Sequence, residues 1–161
     1  MSEENIGDMG KIASFTVNHD KLEKGMYISR IDGDIVTYDI RMKTPNSGDY
    51  LENAAMHTIE HLFATYARNS AVADSVIYVG PMGCRTGFYL LVRDNVGHAG
   101  ALELVRSSMR FAADYKGGIP GTTRRECGNY LEHDLAAAKA EAQSILEVLE
   151  DWDTGRMNYT V

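Results

Sequence analysis

Residues 49–69 read DYLENAAMHTIEHLFATYARN. Met56, Ile59, Phe63 and Tyr66 fall at i, i+3, i+7 and i+10, which is one apolar stripe of an amphipathic helix. The flanking sequence supplies the sheet on which such a stripe can lie. Residues 26–42 read as two strands around Asp32-Gly33-Asp34, a turn signal. In the second arm Val36, Tyr38, Ile40 and Met42 alternate with Thr37, Asp39 and Arg41, the period of two of a half-buried strand. Two more strands are expected at 75–79 and 86–92, joined by a bend at Pro81-Met82-Gly83. Further helices are expected at 98–115, stopped by Gly117-Gly118, and at 130–152, where Leu135, Ala138, Ala142, Ile145, Leu149 and Trp152 form a tight seam. The fold class expected is α+β, with helices packed on one face of a sheet.

The same first helix carries His57-Thr58-Ile59-Glu60-His61. At about 100° per residue, His57 and His61 stand about 40° apart on one face, so both imidazoles can reach one ion. Glu60 flanks that face and is placed to take a proton beside the metal instead of ligating it. The H-x-x-E-H order is that of inverted zinc hydrolases. Two solvated histidines and an exposed glutamate are the alternative. Against it stand the apolar neighbours Ala54, Ala55, Leu62 and Ala64, because polar groups on so apolar a helix need partners.

A catalytic tetrahedral metal takes three protein ligands and leaves one position open. Cys127, read as lying just before the last helix where a helix start would favour a thiolate, is the candidate third ligand. A buried structural cysteine is the other reading. Cys84 lies in Gly80-Pro81-Met82-Gly83-Cys84-Arg85-Thr86-Gly87, a backbone path able to aim a thiol into a cavity; a β-bulge around a small residue explains it equally well. His19, His98 and His133 carry weaker signals. Arg41 ends a strand where it can meet an anion or simply serve as an edge charge.

The chain has 161 residues, enough for one domain, with 44% hydrophobic and 24% charged residues. Residues 1–11 read as a flexible extension and 12–161 as a single catalytic domain. With 23 acidic against 16 basic residues the net charge is −7, which disfavours binding to nucleic acid. No apolar run approaches the ~18 residues of a membrane span. The polar, acidic N-terminus does not read as a secretory signal, and two cysteines fit a reducing cytoplasm. No G-x-G-x-x-G appears, so a nicotinamide site is not expected.

Met56-His57-Thr58-Ile59-Glu60-His61-Leu62, Gly80-Pro81-Met82-Gly83-Cys84-Arg85-Thr86-Gly87-Phe88-Tyr89 and Glu126-Cys127-Gly128-Asn129-Tyr130 resemble the S-ribosylhomocysteine lyase (LuxS) family of bacteria. Ser14-Phe15-Thr16-Val17-Asn18-His19 and Tyr38-Asp39-Ile40-Arg41 are similar to its N-terminal motifs. Asn18 and Tyr78 depart from the Asp that other members carry at those places. The resemblance implies helices packed on an antiparallel sheet, in a homodimer with its active sites at the interface. It implies a divalent metal, iron(II) with zinc or cobalt able to substitute, on His57, His61 and Cys127. It implies Glu60 and Cys84 as catalytic acid/base groups, and Ser14, His19 and Arg41 as substrate contacts. The activity implied is cleavage of S-ribosylhomocysteine to homocysteine and 4,5-dihydroxy-2,3-pentanedione, the precursor of the quorum-sensing signal autoinducer-2. A metallopeptidase of the same helix motif and a non-catalytic metal-binding module are the competing classes.

Overall fold

The computed structural model describes residues 10–160; most of the expected N-terminal extension, residues 1–9, lies outside the described residues. Strands β1 (Gly25–Asp32) and β2 (Ile35–Arg41) form the expected hairpin, and β3 (Val76–Pro81) and β4 (Gly87–Arg93) form a second. All neighbours are antiparallel and the order is β1-β2-β4-β3. Ile40 pairs with Met26 and Phe88, and Tyr38 with Ile28 and Leu90. One sheet face is therefore lined by Met26, Val36, Tyr38, Ile40, Phe88, Leu90 and Val92, all buried. Gly87 is required where β4 crosses β2, because a Cβ there would lie 2.0 Å from the Ile40 carbonyl oxygen.

Helices α1 (Asn53–Ala67), α2 (Gly97–Ala113) and α3 (Leu135–Glu150) pack on one another and join this face in one contiguous core. Phe63 of α1 meets Phe88 of β4 with ring centroids 6.2 Å apart. Burying a side chain of this kind contributes about 1.5–3 kcal/mol. The buried stripe of α1 is Ala55, Thr58, Ile59, Leu62, Phe63 and Ala67, while Met56 and Tyr66 are only half-buried. Small Ala55 and Thr58 are what let neighbouring segments approach the helix, and a stripe drawn through large side chains passes them over.

Two helix boundaries differ from the sequence expectation. Residues 49–52 stay extended because Leu51 N–H donates to the Arg85 carbonyl and the Arg85 guanidinium donates back to the Leu51 carbonyl. The last helix starts at Leu135, not near Tyr130. The Asp134 carboxylate caps it by accepting from Ala137 N–H at 3.0 Å, and residues 128–133 run as turns ahead of that cap. Trp152 then closes the core by donating its indole N–H to the Met26 carbonyl.

Candidate active site

Helix α1 presents His57 and His61 one turn apart, and two loops decide which nitrogen each ring offers. His57 Nδ1 lies 2.8 Å from the Glu132 carbonyl oxygen, and His61 Nδ1 lies 2.8 Å from that of Pro120. A carbonyl can only accept, so each Nδ1 carries the hydrogen and each Nε2 keeps its lone pair. Gly121 (φ +70°) shapes the turn beside Pro120, and a Cβ there would crowd His61 Nδ1 at 3.3 Å.

Both lone pairs converge on Cys127. Its Sγ lies 3.4 Å from His57 Nε2 and 3.8 Å from His61 Nε2. Bonds of about 2.3 Å to sulfur and 2.0–2.1 Å to nitrogen at a tetrahedral angle would separate S and N by about 3.5–3.6 Å, so the three atoms fit one divalent cation. The histidine rings stand at 86° to each other, which lets their in-plane lone pairs meet at a point. Cys127 does not gain its place from a helix start, contrary to the sequence expectation. It sits in a turn held by N–H bonds from Glu126 and Cys127 to the Thr123 carbonyl, eight residues ahead of α3.

His133 joins these three, with one ligand-type atom from each residue and all four within 4.8 Å of one another. Its ring stacks on His57 at 3.9 Å and 24°. Burial first, and then the neighbouring His57 and His61, push its pKa from 6.5 down to about 4. The ring is therefore neutral near pH 7. Glu60 is half-buried on the same helix, and its carboxylate makes no hydrogen bond or ion pair with a described residue.

A second cluster lies elsewhere. Ser14, His19, Arg41 and Cys84 line one cavity of about 340 Å³ together with Asp39 and Tyr159; His57, Glu60, His61 and Cys127 do not line it. Cys84 is exposed, and its Sγ lies 3.0 Å from the Thr86 hydroxyl oxygen. That oxygen accepts from Arg41 Nη1 at 2.8 Å, and Arg41 also donates twice to Asp39, at 3.1 and 2.6 Å. Tyr159 donates to the same carboxylate at 2.7 Å. Arg41 and Asp39 are 3% and 1% exposed. Burial alone would lower the Arg41 pKa, but the Asp39 carboxylate outweighs it and the net direction is up. Burial and the Asp39 charge together push Tyr159 up, so it stays a hydroxyl donor.

The structure thus brings His57, His61 and Cys127 together, and brings Ser14, His19, Arg41 and Cys84 together, but does not merge the two groups within one chain. In the sequence His133 carries only a weak signal, and Thr58, Asp39, Thr86 and Tyr159 are assigned no role of their own. The spacing Cys127-x5-His133 is the one local signal among them; the others are placed by tertiary contacts.

A family model described as S-Ribosylhomocysteinase (LuxS) matches residues 12–155. The S-ribosylhomocysteine lyase of Clostridium acetobutylicum is 46% identical over 156 residues, covering 94% of this chain and 99% of that protein. Those of Phocaeicola vulgatus and Borreliella afzelii are 46% and 43% identical, each over 94% of this chain and 98% and 99% of their own lengths. A family match over residues 12–155, with relatives 43–46% identical over 94% of the chain, means that the chain belongs to the S-ribosylhomocysteinase (LuxS) family.

Proposed function

We propose that this chain is a carbon–sulfur lyase that cleaves the thioether of S-ribosylhomocysteine to homocysteine and 4,5-dihydroxy-2,3-pentanedione. The observation that carries the reading is the tautomer-fixed pair His57 and His61 converging on Cys127. A divalent ion held by these three residues, iron(II) with zinc or cobalt able to replace it, would supply Lewis-acid polarisation of a sugar oxygen.

The remaining work is proton transfer by the chain's own groups. The sugar carbonyl moves from C1 to C2 and then to C3, each step removing a proton from the carbon beside the carbonyl and returning one at the former carbonyl carbon. Removal of the C4 proton then expels the homocysteine thiolate from C5, the thiolate takes up a proton, and the enol left behind shifts its hydroxyl proton to C5 to give the dione. Atoms balance without an oxidant, a reductant or added water. Transfers on two faces of the sugar need two groups. Glu60, whose carboxylate has no partner among the described residues, suits one, and Cys84, hydrogen-bonded through Thr86 to buried Arg41, suits the other. Ser14 and His19 line the Cys84 cavity and would hold the polar ends of the substrate. His19 donates its Nδ1–H to the Val17 carbonyl, leaving Nε2 to meet them.

We further infer a homodimer in which one chain's Cys84 cavity faces its partner's metal cluster. The separation of the two groups in one chain supports this. So does the sheet face opposite the helices, where Tyr78 (55% exposed), Leu91, Tyr89 and Ile12 line an open groove beside Phe15 (68% exposed). The setting inferred is the cytoplasm; among the described residues no helix is long and apolar enough to cross a membrane. The dione product cyclises to autoinducer-2, so the reading extends to quorum signalling and to recycling of a methyl-transfer by-product.

The test is thiol release from S-ribosylhomocysteine, with peptide cleavage measured in parallel. The lyase reading expects homocysteine and intact peptide, and expects Glu60→Gln to retain metal while losing turnover. Peptide cleavage without thiol release would replace it with hydrolysis.

A further inference from the structure

Four groups surround the metal position, and the chemistry of the fourth can be read from its hydrogen bonds. Thr58 lies between the two histidines of α1 and is fully buried. Its hydroxyl oxygen accepts from Asp134 N–H at 3.0 Å. Among the described residues its one other partner is His133 Nδ1, also at 3.0 Å. The oxygen could accept a second bond, but the buried hydroxyl hydrogen has no other acceptor among the described residues; it therefore goes to His133 Nδ1, and the ring hydrogen sits on Nε2. This is the opposite tautomer to that of His57 and His61. A protonated nitrogen has no lone pair to give a cation.

Ring geometry leads independently to the same result. An imidazole lone pair lies in the ring plane. The rings of His57 and His133 are nearly parallel and stacked at 3.9 Å, so a cation in the plane of one lies well out of the plane of the other. The crossed rings of His57 and His61 carry no such conflict.

His133 Nε2 is nevertheless buried and, among the described residues, has no hydrogen-bond partner, Cys127 Sγ included. A buried unsatisfied N–H costs about 1–3 kcal/mol and calls for a partner that arrives with the ligand. We propose that His133 is a hydrogen-bond donor and not a fourth metal ligand: Thr58 fixes its Nε2–H tautomer, and that N–H meets the sugar oxygen that enters the open ligand position. As that oxygen gains negative charge during enolisation, a preset donor stabilises it. The fourth position stays open because the bond from Thr58 to Nδ1 leaves Nε2 protonated. This inference rests on the metal reading of His57, His61 and Cys127.

Nitrogen NMR of zinc-loaded protein carrying ¹⁵N-histidine is the test, because coordinated, protonated and bare ring nitrogens resolve. The expected spectrum has coordinated Nε2 on His57 and His61, and protonated Nε2 with bare Nδ1 on His133. A coordinated Nε2 on His133 beside the other two would overturn the proposal and leave the metal reading intact. Loss of coordination at His57 and His61 would overturn the metal reading itself. His133→Ala is expected to keep one ion per chain while turnover falls by about 10²–10³-fold, the loss typical of one oxyanion donor; loss of the ion would make His133 a ligand. Thr58→Val should shift His133 toward the Nδ1–H tautomer, and Thr58→Ser should restore the native spectrum. If Thr58→Val does not fold, the wild-type and Thr58→Ser spectra decide.

Discussion

The Cys84 sulfur lies 3.0 Å from the Thr86 hydroxyl oxygen, and the same oxygen accepts from the Arg41 guanidinium. With its oxygen so engaged, the hydroxyl is free to donate its hydrogen to the sulfur. Arg41 therefore supports Cys84 through a relay. Its own charge is largely spent on Asp39, with which it forms a buried pair.

Thr86→Val should slow alkylation of Cys84 at neutral pH. A hydrogen bond to a charged group contributes about 1.5–3 kcal/mol, so a loss of about tenfold or more is expected, with metal content unchanged. The rate of a small alkylating reagent, mapped to Cys84 by peptide analysis, gives the answer. An unchanged rate would remove Thr86 from the relay. Arg41 is a poorer target, because breaking a buried ion pair costs about 3–5 kcal/mol in stability and confounds the reading.

Cys127→Ala should strip the ion, since it removes one of the three proposed protein ligands. Metal analysis of the purified variant is the measurement. Near-stoichiometric metal would mean that Cys127 is only a packing residue.

The metal-free protein should lose stability on mild acidification. His133 carries a pKa of about 4 in the fold against 6.5 ordinarily, for the reason of burial first and of His57 and His61 second. Between those values the unfolded chain binds a proton that the folded chain refuses. The favourable contribution is thus complete above pH 6.5 and is lost as the pH falls toward about 4. Urea midpoints across that window should fall less steeply for His133→Gln than for the native sequence. Parallel slopes would deny the depressed pKa.

The sheet was legible because β2 alternates cleanly, with Val36, Tyr38 and Ile40 inward. The pairing of His57 with His61 was legible because a helix fixes their spacing locally. The helix start near Tyr130 was misread because periodicity says nothing about Asp134, whose carboxylate sets the boundary. His133 carried only a weak signal for a related reason. Its meaning comes from Thr58, 75 residues earlier in the chain, and no local pattern brings them together. Asp39 and Arg41 read as the polar face of a strand, yet they are buried, and Tyr159 from the far end of the chain bonds to them.

Mixed dimers should report the division of the site. Cys84→Ala and His57→Ala chains should each be inactive alone. If one chain's Cys84 serves its partner's metal, mixing them restores one intact site of two in each mixed dimer. Activity that stays absent after subunit exchange, with mixed dimers verified by mass, would place both halves of the site in one chain.

The most direct measurement follows both products of S-ribosylhomocysteine with protein stripped of metal and then restored with iron(II). Homocysteine is titrated as free thiol, and the dione is trapped with an aromatic diamine. The account predicts no product from the stripped protein, and thiol and dione in equal amounts after restoration. Full turnover by the stripped protein, or thiol released without the dione, would contradict it.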